Sequence, residues 1–206
     1  MKKFVIPIVA VILISFGVFF VSCDNNGETL KNLLEIATST EGLESLVNVV
    51  TFVDEYATDD PELAAALADE SLTITVFAPN NEAFVTVFGD NDGDGIVESE
   101  DIQDLADALF ESSLVDTADF LLDVVAYHLV LGTAYDSAAV VALIDDLTGI
   151  MTVAEVALLV VQPDTDIILD PVDDTSEAAL TSTLDVEASN GIAHVIADVL
   201  GVPSLG

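Results

Sequence analysis

Basic residues are nearly missing from this chain of 206 residues: three Lys and Arg stand against 38 Asp and Glu, a formal net charge of −35. That imbalance excludes nucleic acid and anionic lipid headgroups as partners, because phosphate is held by Lys and Arg. It excludes a surface laced with salt bridges as well, so self-repulsion has to be met by salt, bound cations or protonation. The acids run along the whole sequence, which favours an adaptation to saline surroundings over a surface built for one cationic partner. Cysteine occurs once, at Cys23, which rules out an intramolecular disulfide and leaves no thiolate set for zinc. Histidine occurs twice, at His128 and His194, too few for a metal centre without further ligands. No Gly-x-Ser-x-Gly elbow, HExxH, P-loop or dinucleotide fingerprint is present. A seryl or metal centre assembled in space stays open, since a Ser–His–Asp set need not be close in sequence. The reading is non-enzymatic.

What is present suits one domain. The chain is 52% hydrophobic and 20% charged, a composition for a packed core and not for a disordered polar segment. Two of the three basic residues, Lys2 and Lys3, precede an apolar run from Phe4 to Phe20. This is a secretory signal and is set apart from the fold. It closes on Phe20-Val21-Ser22-Cys23, which resembles a bacterial lipobox, with Phe20 where leucine is usual. Residues 1–22 are therefore expected to be a lipoprotein signal peptide, Cys23 the lipidated residue, and 23–29 a polar tether. The alternative is an uncleaved membrane anchor, because the run approaches the length that spans a bilayer. Either way the domain, residues 30–206, sits outside the cytoplasm in the cell envelope.

The stretch that organises the domain is SLTITVFAPNNEAF at 71–84. Leu72, Ile74 and Val76 alternate with Thr73 and Thr75, the period of a strand with one buried face. Pro79 ends the ladder, Asn80 caps a helix and Glu82 suits its first turn. Before it, apolar spacing predicts helices opening near Thr29 and Thr40. A short helix is expected behind Asp59-Asp60-Pro61-Glu62, running through Leu63 and Leu67. After it, Thr117 is expected to cap a helix that ends in Tyr127-His128, and Ser137 to start another. From Met151 the pattern turns to strands: a hairpin of 156–161 and 167–169 about Gln162-Pro163-Asp164-Thr165, an alternating run at 180–186, a turn at Ser189-Asn190-Gly191 and a closing strand at 194–199. Helices first and strands later make an α+β domain.

Three blocks carry a family resemblance. TVFAPNNEAF at 75–84 resembles the first signature block of fasciclin-type (FAS1) domains. YHLVLG at 127–132 resembles the central tyrosine–histidine block. NGIAHVI at 190–196, with Val199, Leu200 and Pro203 behind it, resembles the last. The resemblance implies a wedge-like β-sandwich with packed helices, preceded here by a signal peptide, and a role in cell adhesion or protein–protein contact. It also implies a partner-binding role for Tyr127 and His128, against which stands a packing role; for His194 the reading is a buried, hydrogen-bonded imidazole.

Between the first two blocks lies DNDGDGIVESED at 90–101. It reads as an inserted EF-hand- or dockerin-like calcium loop. Asp90, Asp92 and Asp94 hold positions 1, 3 and 5, Gly95 the sharp turn, Ile96 the carbonyl at 7, Glu98 position 9 and Asp101 position 12. A hard cation wants six to eight oxygens, and this spacing wraps carboxylates round one point. Aspartate at position 12 has a shorter arm than the usual glutamate, which points to modest affinity. Phe84, Val87 and Phe88 before it, and Ile102, Leu105, Leu109 and Phe110 after it, fit helix–loop–helix. A lone loop is a structural staple rather than a sensor; the bland alternative is a solvated acidic turn.

The expected function is thus a lipid-tethered fasciclin-domain lipoprotein touching an envelope or cell-surface protein or glycan, stiffened by calcium. The alternative is a carrier holding a small apolar ligand in a pocket between helices and sandwich.

Overall fold

The computed structural model describes residues 29–58, 61–109, 113–144, 149–162, 166–173 and 175–202. The expected signal peptide, Cys23 and most of the expected tether, with Asp59, Asp60, Phe110, residues 163–165 of the expected turn and Pro203, lie outside the described residues.

Seven helices and eight strands alternate only loosely among them: α1 (Leu33–Ser39), α2 (Glu44–Tyr56), α3 (Leu63–Ala68), β1 (Ile74–Pro79), α4 (Asn81–Phe88), α5 (Ser99–Leu109), α6 (Leu114–Tyr127), β2 (Leu129–Leu131), α7 (Ser137–Val141), β3 (Ile150–Met151), β4 (Ala157–Val161), β5 (Ile168–Pro171), β6 (Ala178–Ala179), β7 (Val186–Ala188) and β8 (Gly191–Ile196). One sheet has the order β2-β1-β8-β7 and the other β3-β4-β5-β6. β1 and β8 run parallel from Ile74 opposite Gly191 to Pro79 opposite Ile196; the other pairs are antiparallel.

β1 is central in its sheet and every residue of it is buried. The alternation expected for a half-exposed strand is therefore wrong about the second face. Ile74, Val76 and Ala78 join a core built with α1, α2, α3 and α6. Phe77 points the other way, into a core shared with Val130, Leu158, Val160, Leu169 and Ile196 from both sheets. Thr75 is fully buried because its hydroxyl is satisfied twice, donating to Thr133 O at 2.8 Å and accepting from Tyr135 N at 2.8 Å. A threonine so paired fits a buried face.

The expected turn from strand to helix is as drawn: Asn80 is extended and its side chain accepts from Ala83 N at 2.8 Å. Other helix starts move. α1 begins at Leu33, where Asn32 and Glu35 form a capping box, and not near Thr29. α2 begins at Glu44. α3 takes its cap from a distance, since both oxygens of Asp54 in α2 accept from Leu63 N and Ala64 N, at 2.7 and 2.9 Å. Ser113 caps α6; Thr117, expected as the cap, is one turn inside, buried and bonded back to Ser113 O. α7 does start at Ser137, as expected, and Asp136 before it is the cap. The run at 180–186 is not one strand, for only Leu180 forms an isolated bridge, to Ile196, before β7 begins.

Candidate functional site

The acidic loop connects α4 to α5, so helix–loop–helix is the observed arrangement. Asp90, Asp92 and Asp94 bring carboxylate oxygens within 4.8 Å of one another. Each also closes a local turn: Asp90 accepts from Gly93 N and Gly95 N at 2.7 and 2.8 Å, Asp92 from Asp94 N at 3.2 Å, and Asp94 from Ile96 N at 2.8 Å. The Gly95 and Gly93 amides hold the Asp90 carboxyl below its usual range. Glu98 is exposed, and the charges of Asp94, Asp92 and Asp101 push its carboxyl up. Three converging carboxylates with a fourth held up by their field form a site that lacks positive charge.

Asp101 stands apart from that group. It is buried, and its two oxygens accept from Asn91 N and Glu98 N, both at 2.9 Å. Its position closes the loop onto α5. Ile96 is half-buried, and its amide is already bonded to Asp94.

Position 8 of the loop, Val97, is fully buried. Its N–H donates to Ser45 Oγ at 2.9 Å and its carbonyl accepts from Asn48 Nδ2 at 3.0 Å. Two side chains of α2 thereby hold both backbone groups of Val97. The anchoring continues: Ser45 N donates to Asn81 Oδ1, and Asn81 Nδ2 donates to Glu44 Oε2. Ser45 and Asn48 carried no signal in the sequence; polar residues on an amphipathic helix are ordinary.

The tyrosine–histidine block lies at the end of α6. His128 is 3% exposed. Its Nε2 accepts from Leu200 N at 3.0 Å, which leaves Nδ1 to donate to Val124 O at 2.8 Å. Burial pushes this imidazole down to about 4, so it is neutral at pH 7. The Tyr127 hydroxyl donates to Asp173, and its ring lies where a Cβ on Gly201 would come within 2.5 Å. Burial and the Asp173 carboxylate raise the phenol. The pair grips the C-terminal segment, and the histidine is out of a partner's reach.

His194 is fully buried, as read from its apolar run. Its Nδ1 accepts from Asp185 N at 3.3 Å, so Nε2 donates to Tyr135 O at 2.7 Å, and its ring stacks on Phe77 at 5.7 Å. Asp185, at φ 56°, also takes the amide and hydroxyl of Ser137. Serine, aspartate and histidine therefore do meet in space, but the carboxylate sits next to the serine and the imidazole proton faces a carbonyl. A seryl nucleophile needs the imidazole beside its hydroxyl.

An apolar notch lined by Leu33, Ile36, Leu43, Leu67 and Val76 has room for about 20 Å³. Small-ligand pockets are on the order of 300–1,000 Å³. No helix among the described residues is long and apolar enough to cross a membrane.

The comparisons agree with this geometry. A solved structure with which the chain aligns is a FAS1 domain pair from the insect cell adhesion molecule fasciclin I, at TM-score 0.57 and 14% identity. The alignment covers 86% of this chain and 52% of that one, so the chain spans about half of the pair. No curated protein matches. The sequence profile of the fasciclin domain matches residues 48–203, and the chain belongs to the fasciclin domain family.

Proposed function

We propose that this chain is an extracytoplasmic fasciclin-domain lipoprotein, tethered through Cys23, that works by contact with an envelope or cell-surface protein or glycan and carries out no catalysis. Membership of the fasciclin family, together with a fold shared with an insect cell adhesion molecule, carries this reading. The extreme acidity supports it from the other side, since nucleic acid and anionic lipid are repelled. A calcium ion at Asp90, Asp92 and Asp94, with Ile96, Glu98 and Asp101 completing the loop, is the proposed staple. It would neutralise charge where the protein supplies no cation.

The contact reading is tested by immobilising the domain from residue 24 onward and passing envelope extract over it with and without chelator. A protein or glycan retained specifically, and reduced by chelator, is the expected result; nothing above a blank surface counts against it. The ion has its own test. Calcium titrated to millimolar should raise the melting temperature, and Asp90→Ala with Asp92→Ala should abolish the rise. A flat wild-type response removes the staple and leaves the contact reading standing.

A further inference from the structure

We propose that, among the described residues, the two aspartyl–glycine steps of the loop, Asp92-Gly93 and Asp94-Gly95, are sites of spontaneous isoaspartate formation, and that the Asp90 carboxylate restrains the reaction at both. The chemistry is intramolecular and concerns the loop without a bound ion, so it is followed in the presence of chelator. The glycine backbone nitrogen, having given up its proton, attacks Cγ of the preceding aspartate. A C–N bond forms, water leaves and a five-membered succinimide closes. Water then adds to either ring carbonyl, one C–N bond breaks, and the chain returns as aspartate or with its backbone routed through Cγ. One water leaves and one enters, so no further reactant is needed.

Glycine leaves its own nitrogen unshielded, and a Cβ placed on Gly93 or Gly95 would meet nothing within 4 Å. Asp92 and Asp94 are exposed. The contrasting step is Asn190-Gly191, whose asparagine is 3% exposed. Its amide is held by Leu33 N and Leu67 O, and a Cβ on Gly191 would fall 1.8 Å from Ile74 O. Ring closure there has no room and would break buried hydrogen bonds, whereas the bonds that Asp92 and Asp94 accept are exposed. In the loop, the Gly93 amide donates to Asp90 Oδ1 and the Gly95 amide to Asp90 Oδ2. An amide that donates to a carboxylate loses its proton against a facing negative charge. One side chain thus covers both nucleophiles. Isomerisation adds a methylene to the main chain between Asp90 and Val97, and Val97 is where the misfit would reach the core.

The test incubates the full folded chain at neutral pH and 37 °C, then maps peptides by fragmentation that separates isoaspartate from aspartate. Isoaspartate should accumulate at 92 and 94, with no deamidation at Asn190. Asp90→Ala should speed it several-fold, and Asp90→Asn, which keeps an acceptor without the charge, should fall between. Circular dichroism establishes that each variant is folded. Wild type in urea, with both glycine amides uncovered, provides a reference that needs no folded variant. No isoaspartate at either step, or equal conversion at Asn190, overturns the site. A folded-state rate equal to that in urea, or an unchanged rate in folded Asp90→Ala, overturns the role of Asp90.

Discussion

Asn190 holds three segments at once. Its Oδ1 accepts from Leu33 N at 2.9 Å, its Nδ2 donates to Leu67 O and Asp69 O, and its carbonyl accepts from Ile74 N. The sequence shows only an Asn-Gly pair, which reads as a turn. The structure adds that α1 and α3 meet at this side chain while β1 bonds its carbonyl, and that Gly191 has no room for a Cβ against β1. Asn190→Ala leaves buried backbone groups unpaired, each worth about 1–3 kcal/mol. A loss of roughly 2–4 kcal/mol is therefore expected in urea denaturation; a loss below about 1 kcal/mol would contradict the knot. His128 gives a pH prediction. Its folded value of about 4 lies below the ordinary 6.5, so the unfolded chain takes up the proton first. The stabilisation is complete above the unfolded value and is lost as pH falls from there through the folded value. The full loss is on the order of 3 kcal/mol. Denaturation at pH 7 and pH 4.5 should show most of this loss in wild type beyond that in His128→Gln; equal losses would argue against a neutral buried ring.

Elements here are held by carboxylates used on backbone amides. Asp54 reaches from α2 to cap α3, Asp136 caps α7, Asp119 takes Thr58 N, and Asp101 closes the loop onto α5. With Lys31 the single base after Lys2 and Lys3, these amides are the positive partners the chain does offer. Local caps such as Asn80 are legible, because cap and helix are neighbours in sequence. The Asp54 cap is not, because its partners lie nine and ten residues on, in another element. Asp54→Ala should cost about 1–2 kcal/mol. Amide exchange should rise first at Leu63 and Ala64; unchanged protection there would show that α3 does not depend on this carboxylate.

For the whole molecule the governing quantity is the net charge of −35. Raising NaCl from 0.01 M to 1 M shortens the screening length from about 30 Å to about 3 Å. The melting temperature should climb by several degrees over that range, roughly the effect of 1 kcal/mol or more in a domain of this size. A flat profile would mean that the amide-bound carboxylates already offset the repulsion. The sequence by itself determined the family, the strand–turn–helix at its centre, the acidic loop and the burial of His194. Each is written in adjacent residues or in ordered blocks. Tertiary structure decided that β1 is covered on both faces, that His128 grips Leu200, and that Ser45 and Asn48 hold the loop. Those depend on which distant segment packs where, and hydrophobic period along one strand carries no record of a second sheet closing over it.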